Sequence, residues 1–229
     1  MCGRFAVGDT DGTDWADWLA LDPELDWPLA DWPGASWNIA PTQPVGIVLK
    51  GPSGRRAGPA RWGLVPHWWQ KPLAEFRLTT FNARSEEAAG KPMFRDAWAK
   101  RRCLIPAIGW YEWSGEKGAK QPWFITIRRN TPGFWFAGLW SRAEVEGEII
   151  VSATILTTAA GEATRHLHPR SPVVLDDDQA GDWLSGQGPD GANLMQAPPD
   201  DRVDLWAVDR AVGQVRTNHA GLIEPAEQS

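Results

Sequence analysis

A chain of 229 residues, 42% of them hydrophobic, has room for one large domain or two small ones with a sizeable core. Two cysteines build no disulfide framework, and four scattered histidines give no zinc-ligand spacing, so neither metal nor cofactor is expected. No run of 18 apolar residues is present, and with a cysteine at position 2 neither a signal peptide nor a lipoprotein anchor is expected, which points to a cytoplasmic protein away from membranes.

In chain order, Thr13–Leu21 reads as a short helix capped by Thr13 or Asp14, with Trp15, Trp18 and Leu19 on one side. Ser36–Thr42 is a proline-bounded loop or strand end. Val45–Lys50 and Ala60–Val65 read as strands around the turn Gly51-Pro52-Ser53-Gly54. Met93–Lys100 has helical apolar spacing through Phe94, Ala97 and Trp98. Cys103–Pro106, Ile108–Trp113, Trp123–Arg128, Phe134–Trp140 and Ile149–Leu156 then have the composition of sequential antiparallel strands. Asp178–Leu184 suits a helix, Ser185–Arg202 an exposed loop, Val203–Val208 a late strand and Glu224–Ser229 a loose tail. The expected fold is a single α+β domain spanning residues 2–225, with a curved, mainly antiparallel, barrel-like sheet and peripheral helices. Residues 226–229 would be tail.

The net charge of −6 argues weakly against nucleic acid, but its distribution does not. Residues 50–129 carry sixteen Lys/Arg against six Asp/Glu, a net of +10, while the two flanks together carry −16. A basic face for an anionic partner fits this asymmetry, and so does mutual neutralisation across the fold. Sixteen Trp against one Tyr supply core and hairpin packing, with a few left for base stacking.

Four segments place polar residues at strand ends or beside Pro and Gly, where scaffolds present function. Removal of Met1 would give Cys2 a free α-amine of pKa about 7.7–8.0 beside a thiol of pKa about 8.5. Such a pair closes a five-membered N–C–S ring on an aldehyde, although a frayed terminus is an equal reading of Cys2 alone. Glu112, among Trp110, Tyr111 and Trp113, would share a strand face with Trp110; apolar rings raise a carboxyl pKa toward proton-transfer range, while an outward Glu is the bland alternative. His168 precedes Pro169 and suits acid/base work near neutral pH. Asn82 and Arg84, two apart on an extended segment, point one way and could grip a sugar and its phosphate, or form a surface turn with an Arg84–Glu86 pair. Trp68 and Trp69 end a strand and could stack on bases or bury a corner.

Taken together and in order, eight motifs resemble the SOS-response-associated peptidase family. They are Cys2-Gly3-Arg4-Phe5, Trp37-Asn38-Ile39-Ala40-Pro41-Thr42, Arg61-Trp62-Gly63-Leu64-Val65-Pro66, Phe81-Asn82-Ala83-Arg84, Arg101 to Pro106, Trp110-Tyr111-Glu112-Trp113, Ile155 to Ala159, and His168-x-Arg170-x-Pro172. The resemblance runs from residue 2 to about Pro225. It departs at Trp110, Ser171 and His67, where Phe, Met and a small polar residue are usual.

The resemblance implies a monomer that binds single-stranded DNA covalently at an abasic site, through a thiazolidine on Cys2. Glu112 and His168 would move protons, and Asn82 would join Cys2, Glu112 and His168 as a catalytic group. Asn82 and Arg84 would hold the sugar and phosphate, with Arg4, Asn38, Pro41, Trp68, Thr157 and Arg170 as further DNA-binding residues and Trp68 the candidate wedge. A lyase side reaction is a chemical consequence of an imine at C1′. Two other classes compete: an N-terminal-nucleophile thiol peptidase or amidase, as the family name suggests, and a non-covalent single-strand-binding module in which Cys2 is dispensable.

Overall fold

The computed structural model describes residues 2–9, 13–20, 32–116, 118–186 and 191–226. Its elements begin with β1 (Phe5–Ala6), α1 (Thr13–Leu19), β2 (Pro44–Lys50), β3 (Arg55–Trp62), β4 (Asn82–Arg84), α2 (Ser85–Ala88) and α3 (Arg95–Lys100). They continue with β5 (Arg102–Ala107), β6 (Gly109–Ser114), β7 (Gln121–Ile127), β8 (Phe134–Val145), β9 (Glu148–Ala159), β10 (Arg170–Pro172), β11 (Val174–Leu175), α4 (Asp177–Ser185) and β12 (Val203–Ala207).

Five strands close on themselves in the order β9-β3-β2-β5-β8 and back to β9, forming a small barrel. The pleat sends alternate side chains to opposite faces. Val45, Ile47 and Leu49 of β2, Cys103 and Ile105 of β5, and Phe134 and Phe136 of β8 therefore fill the barrel interior. Val48, Leu104, Trp135 and Ala137 face outward and are covered with α3 and α4 residues Ala97, Trp98, Ala180 and Trp183. Inside, a Cβ on Gly138 would come within 2.8 Å of the Cys103 sulfur, so glycine is what lets β8 pass this thiol. The longest ladder, β8 with β9, turns through Glu146 and Gly147 at φ +53° and +84°. Two consecutive positive φ values are the geometry of a tight two-residue hairpin whose twist suits its strands.

A second sheet, β1-β6-β7-β12, is antiparallel throughout and lies against the barrel. Trp110 of β6 joins the barrel-side cluster with Cys2 and Phe5, while Tyr111 packs on the other face with Phe124, Val212 and Leu222. Phe5 meets Trp62 edge-to-face at 5.0 Å between ring centroids, tying the two sheets together.

This is the mixed α+β single domain that the strand pattern suggests, with several differences in detail. Strand β3 begins at Arg55, five residues ahead of the expected start, and ends at Trp62. Gly63, at φ +132°, then turns the chain out of the barrel. Helix α3 starts at Arg95, because Phe94 has φ −120° and only precedes it. The strands from 102 to 159 are not a simple meander: the chain changes sheet between β5 and β6 and again between β7 and β8. Two pairings, β3 and β4 with β9, are parallel. In the 185–202 segment, Leu194 and Met195 pack onto the outer core instead of forming only exposed loop. The tail is tied down through Ala226, whose N–H donates to the Ala207 carbonyl at 2.8 Å. Residue 21 of the expected first helix, residues 187–190 and residues 227–229 lie outside the described residues.

Candidate active site

Residue 2 is no frayed end. Cys2 is fully buried and packed into the barrel-side cluster. The Asn82 side-chain amide donates to its carbonyl oxygen at 2.6 Å. Asn82 itself is 8% exposed, and its Oδ1 is buried without a hydrogen-bond partner among the described residues, a spare acceptor on the amide that touches Cys2. Strand β4 aims this amide because it pairs in parallel with β9, Asn82 opposite Ile155 and Arg84 opposite Thr157.

Glu112 approaches from the second sheet. The Tyr111 N–H donates to the Arg4 carbonyl at 2.9 Å and Phe5 pairs with Trp110, which brings the next residue of β6 beside the Cys2-Gly3 segment. Glu112 is 6% exposed, so the carboxylate faces inward with Trp110 and not out to solvent. Burial raises its pKa, opposed in part by the positive charge of Lys120. Burial likewise pushes the Cys2 thiol well above its ordinary value, and the nearby Glu112 charge pushes it further. The thiol is therefore protonated at neutral pH and needs a base when it reacts.

His168 comes from the segment that leads into β10. It follows the helical turn begun at Gly161, and the pairing of β10 with β9 sets Arg170 opposite Ala159 and Pro172 opposite Thr157. His168 Nδ1 lies 2.9 Å from the Arg170 N–H and 3.2 Å from the Arg170 carbonyl, so the Arg170 backbone orients the ring whichever nitrogen carries its proton. Burial lowers the His168 pKa. The segments that carry Cys2, Asn82, Glu112 and His168 thus converge near the Ile155–Ala159 end of β9.

The remaining candidates divide into exposed and engaged groups. Trp68 is 48% exposed, while its neighbour Trp69 is half-buried against Phe76, so the Trp pair splits into one free indole and one corner. The Arg84 side chain is 61% exposed and its contact with Glu87 is a loose 3.4 Å. Arg170, only 17% exposed, grips Glu86 with two hydrogen bonds of 2.7 and 2.8 Å and donates to the Thr157 carbonyl. Thr157 is fully buried, with its hydroxyl 3.4 Å from the Ala83 carbonyl. Arg4 is clasped by the Asn38 side-chain oxygen and the Val212 carbonyl, both at 2.7 Å. Asn38 in turn donates to the carbonyls of Gln214 and Thr217, which leaves its amide saturated. Pro41 is half-buried on the segment that bridges to β1 through Ile39.

Three features escape a reading of the sequence. The 212–217 segment supports Arg4 from more than two hundred residues away. The Tyr111 hydroxyl donates to the Trp37 carbonyl at 2.7 Å and locks the Asn38 segment onto β6. Glu86 pairs with Arg170, and the expected partner of Glu86, Arg84, meets Glu87 instead. The basic stretch also divides: Lys50, Arg56, Lys100 and Arg102 line a separate groove of about 430 Å³ beside α3 and the end of α4. Among the described residues no cluster of His, Cys, Asp or Glu is placed to hold a metal, and no helix is long and apolar enough to cross a membrane.

Residues 1–215 match the family described as SOS response associated peptidase, SRAP, and the chain belongs to that family. It is 34% identical to the Escherichia coli abasic site processing protein YedK, over 98% of this chain and all of that one. It is 31% identical to the Bacillus subtilis abasic site processing protein YoqW, over 98% of this chain and 99% of the relative. A crystal structure of a Bordetella bronchiseptica protein, 30% identical, superposes with a TM-score of 0.76 over 91% of this chain and all of that one. A Bacteroides thetaiotaomicron protein shares the fold at a TM-score of 0.84, over 99% of this chain and all of that one, with 20% identity.

Proposed function

We propose that this protein recognises abasic sites in single-stranded DNA and captures them as a covalent adduct on Cys2, acting as a monomer in the cytoplasm. The observation that carries the reading is the Asn82–Cys2 hydrogen bond: residue 2 is held by its backbone, buried, beside a carboxyl group of raised pKa. A chain end without a task needs no such anchor. The names of the relatives from E. coli and B. subtilis support the lesion as substrate. That one chain supplies every group supports action as a monomer.

After removal of Met1, the Cys2 α-amine attacks the C1′ aldehyde of the ring-opened sugar. The carbinolamine loses water to give an imine, with Glu112 passing a proton to the departing hydroxyl. The Cys2 sulfur then adds to the imine carbon while its proton moves to nitrogen, closing a thiazolidine with no further leaving group. Glu112, ionised by the first transfer, is the base at hand for the thiol whose pKa burial has raised. His168 exchanges a proton with the sugar hydroxyl freed on ring opening. Asn82 and the exposed Arg84 hold sugar and phosphate, Trp68 stacks on or wedges between neighbouring bases, and Arg4, Asn38, Pro41, Thr157 and Arg170 shape the wall. Ring closure also suppresses the β-elimination that an imine at C1′ invites, so lyase activity would be a minor side reaction.

The test is incubation of purified protein with single-stranded oligonucleotides carrying either uracil or an enzymatically generated abasic site, followed by a denaturing gel. A band resistant to denaturant is expected with the abasic strand alone and is lost in Cys2→Ala. Cys2→Ser keeps the amine and should give a weaker, more reversible adduct. Equal binding of both strands with no covalent band would overturn the reading.

A further inference from the structure

We infer that Glu86 and Glu87 are built-in competitors of DNA phosphate, holding the two arginines beside the site and weakening its grip on undamaged strands so that retention is left to the covalent step. The inference rests on the reading of the site given above.

Both carboxylates lie on α2, the four-residue helix that directly follows the strand carrying Asn82 and Arg84. Glu86 takes both terminal nitrogens of Arg170, at 2.7 and 2.8 Å, and the Thr157 carbonyl takes a further hydrogen of one of them at 2.5 Å. The third nitrogen, Nε, is buried without a partner among the described residues. A phosphate recognises arginine best through two parallel N–H bonds along one edge of the guanidinium. The outer edge of Arg170 is occupied by Glu86 and the edge through Nε is closed by burial. A strand thus reaches Arg170 in full only by displacing a carboxylate.

Arg84 is the contrasting case. Its contact with Glu87 is 3.4 Å long and exposed, and Glu87 also pairs with Lys91. Phosphate can take Arg84 with little competition, because exposed pairs of this kind contribute little and are screened by salt. The group of Arg84, Arg170, Lys91, Glu86 and Glu87 carries a net charge of +1, where the three cations alone would carry +3. Phosphate contacts bind damaged and intact strands alike and carry no sequence or lesion information. Muting them raises the share of selectivity that rests on the aldehyde.

The test compares wild type, Glu86→Gln and Glu87→Gln. Fluorescence anisotropy with a labelled intact oligothymidylate across a salt series reads affinity, and a denaturing gel with an abasic strand reads crosslinking. Glu86→Gln should tighten binding of the intact strand by about three- to tenfold at low salt and steepen the logarithmic salt dependence by about one, the signature of one added phosphate contact. Glu87→Gln, whose pair is looser, should tighten it by about twofold. Unlabelled intact strand should then slow crosslinking by Glu86→Gln more than by wild type. Unchanged or weaker binding with an unchanged salt dependence in both variants would overturn the inference and leave the carboxylates as struts for α2. Absence of a wild-type crosslink would sink the functional reading instead, and the binding series would still judge the carboxylates.

Discussion

The floor of the site and its rim are built by different means. Cys2, Asn82, Glu112 and Thr157 on the floor are each less than a tenth exposed, and their backbones are set by strand ladders or by buried hydrogen bonds. Trp68 and Arg84 on the rim are about half exposed or more, on a loop and a three-residue strand. Burial shifts the floor's proton affinities and fixes its geometry, which reacting atoms require. An exposed rim can adapt to a flexible strand and release it. In the proposed function, chemistry and recognition are thereby separated within a single barrel end.

Substitutions can break this contrast from either side. The largest effect should come from Glu112→Gln, which removes the proton carrier and should slow crosslinking by about 10²- to 10⁴-fold in a timed denaturing-gel assay. The same change should raise the melting temperature at pH 7. A buried carboxyl of raised pKa contributes most below its unfolded value and loses that contribution as pH rises through the folded value, so the advantage of Gln should shrink toward pH 4. Next is Trp62→Ala, beneath the floor. Trp62 is fully buried, meets Phe5 and Phe81 edge-to-face and donates to the Phe81 carbonyl at 2.8 Å. Its loss should destabilise the fold by about 3–5 kcal/mol in urea unfolding.

On the rim, Trp68→Ala should leave the unfolding midpoint within error and weaken binding of intact single strands by about 1–3 kcal/mol, one stacked base, as read by anisotropy. The smallest effect is expected from Arg84→Ala, a modest loss of affinity with a salt dependence shallower by about one. A Trp68 variant that unfolds early, or a Glu112 variant that changes affinity and not rate, would erase the distinction between floor and rim.

The sequence makes the barrel's long strands legible because branched and aromatic residues dominate them, and Cys103–Pro106 and Phe134–Trp140 fall inside β5 and β8. It hides the start of β3, where Arg55-Arg56 and Gly58-Pro59 lack strand-forming composition although they pair with β2 in full register. It hides the far half of the β8–β9 hairpin as well, since Arg142 and Glu144 face solvent there and interrupt the apolar run. Strand β4 is only three residues long, too short for any period, yet its parallel pairing with β9 is what aims Asn82. At the site, motif order singles out residues that the fold brings together, and the alternation of β6 correctly puts Glu112 on the Trp110 face. What each arginine holds is a matter of long-range contact: Arg4 with Val212, and Arg170 with Glu86, have no local signature.

The bond from Asn82 to residue 2 ends on a main-chain oxygen. Every amino acid has that oxygen, so the tether is blind to the side chain it presents. Serine or selenocysteine at position 2, close to cysteine in size, would be delivered to the same place, and the reactivity of the adduct could be changed independently of its address.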